Sequence, residues 1–355
     1  MNFQHNLSVV KPLTQDSILY YGRPYFLLEG SRIPDSLKEN PYDRLPASYQ
    51  EKVREPVWNL SKSSAGLSVR FLSNSSSISA KWTLLNNSTM NHMAETGIKG
   101  IDLYFKNQGQ WQYVNTARPS DKENTALLVE NMAPEMREYK MYLPLYDGVT
   151  QLEVGIDSGS VIQKPAADPK LPIIFYGTSI TQGGCASRPG MAHTNIISRR
   201  LDTDVINLGF SGNGKMETPI GELMAATEAR FYVIDCLPNM KPDEVSEHTV
   251  PLVELIRAKR PNTPIVLVEN LVYESAYLNQ ELHDLVNRKN AALKEAYEQL
   301  KASGVHNIFY IGHENALGKD HEGTVDGVHF TDLGFSRFAD HLLNHFEQFK
   351  LIEKI

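Results

Sequence analysis

Residues 172–184 read Pro-Ile-Ile-Phe-Tyr-Gly-Thr-Ser-Ile-Thr-Gln-Gly-Gly, and this stretch decides the fold. The run from Ile173 to Tyr176 is short, unbroken and apolar, as a strand buried on both faces requires. It breaks at once into Gly177-Thr178-Ser179, with two more glycines at 183 and 184. A buried strand that ends in a glycine-rich turn before a helix is the first half of a βα unit. The glycines let the backbone turn tightly and let a substrate approach. Taken alone, Ser179 reads equally as a helix cap or as a residue facing a ligand.

Downstream the same grammar repeats. A helix over 195–200 follows the first strand. VINLGF (205–210) precedes a helix over 218–229, FYVIDC (231–236) one over 247–259, and PIVLVEN (264–270) one over 282–303, before NIFYIG (307–312). Leu282, Val286, Ala291, Leu293, Ala296 and Leu300 form the expected apolar stripe of the long helix. Strands separated by crossover helices predict a parallel sheet covered on both faces, assigned to residues 170–355. Ligands in such sheets bind beyond the carboxyl ends of the strands.

Upstream, short runs rich in β-branched and aromatic residues alternate with turn clusters. They are LSVRFLS (67–73), SISAKWTLL (77–85), GIDLYFK (100–106), WQYVNT (111–116), YKMYLPL (139–145) and TQLEVGI (150–156). No helical period intervenes, so residues 1–165 are expected to form an all-β sandwich or jelly roll. The Pro-, Ser- and Asp-rich segment 157–170 reads as a linker. A chain of 355 residues accords with two domains.

Composition narrows the function. A net charge of −7 without a basic run argues against nucleic-acid or anionic-membrane partners, and no apolar stretch reaches the roughly 18 residues of a membrane span. Cys185 and Cys236 are too few for a disulfide framework or a CxxC-type metal site. The start MNFQHNLSVV does not read as a signal peptide. The location expected from this is open: cytoplasmic as written, or periplasmic or extracellular if a signal has been removed. Its oligomeric state is open.

Four segments after predicted strands carry chemistry. Ser179 follows the first. After the second, Gly209, Gly212 and Gly214 can present backbone N–H groups to an anion. After the third, Asn239 can offer a side-chain N–H to an oxyanion. Near the C-terminus, Asp326 and His329 are spaced so that the carboxylate can hold one imidazole nitrogen while the other faces the sheet edge. Each has an ordinary structural reading as a cap, turn or exposed residue. Together they supply a nucleophile, oxyanion donors and a base with its orienting acid, in order, along one sheet edge.

The constellation resembles the four blocks of the SGNH (GDSL-like) hydrolases, over residues 171 to about 350. Gly177-Thr178-Ser179-Ile180 is similar to the first block, Gly212 to the second, Asn239 to the third and Asp326-Gly327-Val328-His329 to the last. Gly100-Ile101-Asp102-Leu103-Tyr104 resembles the GxDLY motif of a β domain that precedes some SGNH esterases. The resemblance implies a flavodoxin-like α/β domain after a β sandwich. It also implies a triad of Ser179, His329 and Asp326, an oxyanion hole of Ser179, Gly212 and Asn239, and neither metal nor cofactor. Two departures are visible: Thr178 stands where the family has Asp, and the third block reads Asp-Cys-Leu-Pro-Asn rather than Gly-x-Asn-Asp.

The expected activity is that of a serine esterase acting on short acyl, foremost acetyl, esters of a small molecule or glycan. Trp58, Trp82 and Trp111 are available for stacking on sugar rings, although sandwich core is their ordinary place. His313-Glu314 and Asp320-His321-Glu322 match no zinc spacing and are expected in a solvated loop. Two other classes stay open: a glycan-binding protein without catalysis, and a metal-dependent phosphodiesterase, which chelators would inhibit.

Overall fold

The computed structural model describes residues 18–354; the segment weighed as a signal peptide, 1–10, lies outside the described residues. The chain opens with β1 (Ile18–Tyr21), β2 (Leu27–Glu29) and the short helix α1 (Glu55–Ser61). Then come β3 (Ser68–Ser73), β4 (Ile78–Leu84), α2 (Glu95–Lys99), β5 (Ile101–Asn107), β6 (Gln110–Ala117), β7 (Glu123–Val129), β8 (Arg137–Tyr142), β9 (Val149–Asp157) and β10 (Ile162–Gln163). One antiparallel sheet has the order β1-β9-β4-β7, and the other β10-β3-β8-β5-β6 with β2 added to β3. Alternate residues of the two sheets, among them Phe71, Trp82, Leu103, Tyr139, Met141 and Val154, meet in one core. This is the expected sandwich. The segment expected as linker is partly ordered into it, because Ile162 and Gln163 pair with Ser73 and Leu72.

The parallel sheet follows: β11 (Ile173–Gly177), α3 (Ser179–Gln182), α4 (His193–Leu201), β12 (Val205–Gly209), α5 (Thr218–Ala226), β13 (Phe231–Asp235), α6 (Pro242–Lys259), β14 (Ile265–Val268), α7 (Gln280–Ala302), β15 (Ile308–Ile311) and α8 (Asp332–Gln348). Its order is β12-β11-β13-β14-β15, with every pairing parallel. The chain leaves β11 in one direction for β12 and returns past it to β13. The strand order reverses at β11, which makes its carboxyl end the switch point where such sheets bind ligands. Helices α5, α6 and α7 cover one face through Ile220, Met224, Val253, Ile256 and Leu293. Helices α4 and α8 cover the other through Ile196, Ile197, Phe335, Phe338 and Leu342. Among the described residues, no helix is long and apolar enough to cross a membrane.

Two sequence expectations are corrected. Helix α6 starts at Pro242, not 247, because Pro242 supplies a preset φ at the first helical position and the Glu244 side chain accepts the Lys241 N–H at 2.7 Å. On α7, Ala291 is exposed and Asn290 takes its place on the buried stripe, bonded to the backbone of Asn270. Of the tryptophans, Trp82 takes the sandwich-core place that is ordinary for it, and the other two lie elsewhere. Trp58 packs in the core beneath the parallel sheet and Trp82 in the sandwich, while Trp111 donates to Asp202 at 2.8 Å between the two units.

The β-rich unit is fastened to the α/β unit by polar contacts as well as packing. Gly30 N–H donates to Asp204 at 2.8 Å, Arg32 pairs with Asp204 at 2.7 Å, and Lys106 pairs with Asp202 at 2.6 Å. Tyr49, Val53, Val57 and Trp58 bury themselves against Ile174, Tyr176 and Phe210. The amino-terminal segment thereby helps build the core under the parallel sheet.

Candidate active site

Strand β11 delivers Ser179 as the first residue of α3. Gly177 is required at the strand end: a Cβ there would lie 2.0 Å from Thr181 Oγ1 and 2.8 Å from the Asp235 carbonyl. Thr178 caps the helix, its hydroxyl accepting the Ile180 N–H at 3.3 Å. The cap function that competed for Ser179 therefore falls to Thr178, and Ser179 is left free to face His329. Its Oγ stands 2.9 Å from His329 Nε2, and His329 Nδ1 stands 2.7 Å from Asp326 Oδ2. Asp326 Oδ1 also accepts the backbone N–H groups of His329 at 2.8 Å and Val328 at 3.1 Å. Burial opposes ionisation of Asp326, but the ring and N–H of His329 outweigh it and hold the carboxyl below its ordinary range.

The oxyanion candidates converge on the same edge. Gly212 has φ of +68° and is exposed, and its N–H has no partner among the described residues. Asn239 Oδ1 accepts the Gly214 N–H at 3.2 Å, which leaves the Nδ2 donor for another partner. The N–H of Ser179, at the start of a helix, has no intrahelical acceptor. Of the three glycines in the second block only Gly212 keeps a free N–H, since Gly209 donates to Asn207 at 2.8 Å.

The β-rich unit reaches this edge at several points that local sequence patterns do not mark. Tyr146 donates to the Ser179 carbonyl at 3.2 Å. The Arg44 guanidinium, 3 % exposed, donates to the carbonyls of Asn207 and Gly209 and clamps the end of β12 just before the Gly212 turn. His92, on the loop between β4 and α2, brings its ring to 5.7 Å from that of His329. The GxDLY segment had a visible motif but no assigned task. Asp102 is fully buried and accepts from Thr116 Oγ1, Arg188 Nη1 and the Gly190 N–H, each at 2.7 Å. Tyr104 binds the same Arg188 nitrogen at 2.6 Å. Next to Arg188, Ser187 N–H donates to Asp332 at 2.9 Å, at the head of α8 and three residues past His329. The motif thus ties the loop after the nucleophile to the segment carrying the histidine.

Of the other acidic and histidine clusters, His313 is half-buried just beyond β15 with Nδ1 2.5 Å from Glu269, and not in a solvated loop. Asp320 and His321 are exposed, paired with Arg337 and Glu274.

Behind the nucleophile lies a carboxyl that sequence reasoning passed over. Asp235, the last residue of β13, sits beside Gly177 in register, and burial raises its pKa to about 7 against a weaker pull from Thr181. An unfolded aspartate titrates near ~3.9. Between about pH 4 and about pH 7 the folded protein therefore holds a proton that the unfolded chain has lost, and stability falls as pH rises through that window. At about 1.4 kcal/mol per unit the loss is on the order of 4 kcal/mol. Asp235→Asn is expected to unfold at higher urea than wild type at pH 8 but not at pH 4; equal differences at both pH values would clear Asp235 of the effect.

Two family models match the chain: the GDSL-like lipase/acylhydrolase family over residues 170–347, and the N-terminal domain of SGNH-hydrolase-type esterases, with the GxDLY motif, over 23–162. A protein described as a GDSL-like lipase, from Bacteroides ovatus, is 37% identical, with a TM-score of 0.90 over 95% of this chain and 99% of its own. A salicylyl-acyltransferase from a tetracycline biosynthetic pathway is 15% identical, with a TM-score of 0.77 over 94% of this chain and 98% of its own. An acetyl xylan esterase from the rumen bacterium Butyrivibrio proteoclasticus is 11% identical, with a TM-score of 0.55 over 81% of this chain and 91% of its own. No protein of curated function matches the chain.

Proposed function

The chain belongs to the GDSL-like lipase/acylhydrolase family, and from that premise we propose that it is a serine esterase removing short acyl groups, acetyl foremost, from a carbohydrate or small-molecule alcohol. The observation that carries this reading is the hydrogen-bonded line from Ser179 Oγ through His329 to Asp326. On this reading residues 1–165 form the β domain and 170–355 the catalytic one.

His329 Nε2 takes the Ser179 proton as Oγ attacks the ester carbonyl, and Asp326 keeps Nδ1 protonated and stabilises the imidazolium. The N–H groups of Ser179 and Gly212 and the side-chain amide of Asn239 receive the charge that develops on the carbonyl oxygen. His329 then protonates the departing alkoxide, and a water molecule, activated by the same imidazole, releases the acid from Ser179. The steps draw on no metal or organic cofactor. The preference for acetyl on a sugar rests on likeness of fold to the acetyl xylan esterase.

The test is hydrolysis of p-nitrophenyl acetate beside a longer-chain ester, with and without a chelator, and mass mapping of a fluorophosphonate adduct. Expected are faster turnover of the acetate, no loss of activity with the chelator and a single adduct on Ser179. An adduct elsewhere, or activity lost on adding the chelator, overturns the reading. Asn239→Ala is expected to lower kcat by roughly 10²–10³-fold with little change in KM, because its donor acts on charge that exists only in the transition state.

A further inference from the structure

Two side chains near His329 have no part in that mechanism. Cys185 is 7 % exposed and its thiol has no hydrogen-bond partner among the described residues. Its backbone stands at φ of +74°, in the left-handed region, although it directly follows two glycines that could occupy that conformation without strain. Strain of this kind is kept where a side chain is needed at that place. His92 uses Nδ1 to meet Asn91 Oδ1 at 3.1 Å, which leaves Nε2 uncommitted. One ligating atom from each of His92, Cys185, Asp326 and His329 lies within 4.8 Å of all the others.

We propose that these four side chains form a binding site for a divalent zinc-type cation that switches the enzyme off by taking the imidazole of His329. The proposal rests on the esterase reading above. Two imidazoles, a thiolate and a carboxylate are the donor set that tetrahedral zinc prefers. Bonds of about 2.0–2.3 Å place tetrahedral ligands roughly 3.5 Å apart, so the cluster must contract by about 1 Å. His92 lies on a loop outside any strand or helix, which is where that contraction is accommodated.

Binding is a proton-for-metal exchange. The Cys185 thiol releases its proton to solvent, the sulfur forms a bond to the cation, and an imidazole nitrogen of His329 donates its lone pair to the same ion. His329 can then no longer take the proton of Ser179. The polar groups facing the thiol include those of Tyr146, Asp326, His92 and His329.

The experiment titrates zinc into the full chain, reading p-nitrophenyl acetate hydrolysis and, separately, calorimetric binding. Cobalt absorption is followed in parallel for a thiolate charge-transfer band. The variants are His92→Ala and Cys185→Gly, the second chosen because glycine suits the left-handed backbone. Expected are one zinc per chain, inhibition reversed by a chelator, and a cobalt–thiolate band that Cys185→Gly lacks. Each variant should need at least roughly tenfold more zinc for half-inhibition while keeping its zinc-free rate. Absence of zinc binding to an active wild type, or an unchanged zinc response in both variants, overturns the proposal. Zinc binding without any esterase activity would instead remove the esterase reading and leave the metal site standing.

Discussion

Ser179→Ala is expected to lose ester turnover by a factor on the order of 10⁴–10⁶ while its thermal unfolding stays close to that of the wild type. The size follows from the role: residues of a nucleophile–base unit act together, and losing the nucleophile costs about as much as losing the whole set. What survives is the catalysis that oxyanion donors and substrate positioning give without a covalent step. The small effect on stability follows from the surroundings. Among the described residues Ser179 Oγ makes one hydrogen bond, to His329 Nε2, and the helix cap is supplied by Thr178. Alanine suits the first turn of a helix, and the single lost hydrogen bond is worth about 1 kcal/mol. The measurement pairs kcat on p-nitrophenyl acetate with a thermal melt. Turnover within tenfold of wild type would move the nucleophile elsewhere, whereas lost turnover with a collapsed melt would report misfolding and say nothing of chemistry.

The α/β half was legible because its signals are local. Each buried strand is a compact apolar run, and each is followed by a turn rich in glycine or asparagine, so β11, β12 and β13 announce both themselves and the residues at their ends. The placement of Ser179, Gly212, Asn239, Asp326 and His329 on one edge follows from that grammar and from parallel topology. In the sandwich half, β7 (ENTALLV) escaped notice because it begins with polar residues and lacks the alternation that marks β4. Ala291 was misassigned because an apolar residue was expected where Asn290 satisfies a neighbouring backbone instead. The contacts that join the units were invisible for a different reason. Arg44 meets carbonyls more than 160 positions away, and Asp102 meets Arg188 across 86. No periodicity encodes such partners. A buried arginine or aspartate betrays itself only once the fold shows that water is excluded around it. Asp102 alone carried a signal, through its motif, and that signal named a family without naming a task.

Asp326→Asn is the sharper test of how the site works, with an expected loss in kcat of roughly 10⁴-fold and an intact fold. The argument runs through the two oxygens of the carboxylate. Oδ1 is held by the backbone N–H groups of His329 and Val328, and only Oδ2 faces the imidazole. In the asparagine variant the amide oxygen must stay where those two donors point, because the NH2 group cannot accept from them. The NH2 group is then turned toward Nδ1, which can satisfy it only as an acceptor. That forces the imidazole into the tautomer with its proton on Nε2, the atom that faces Ser179 Oγ at 2.9 Å. A protonated Nε2 cannot take the serine proton, so the nucleophile is present but not activated. The variant should accordingly label slowly with fluorophosphonate and still give the wild-type melt. A loss of only a few fold would mean that Asp326 braces the loop through its backbone contacts, and that the tautomer of His329 is set by something other than this carboxylate.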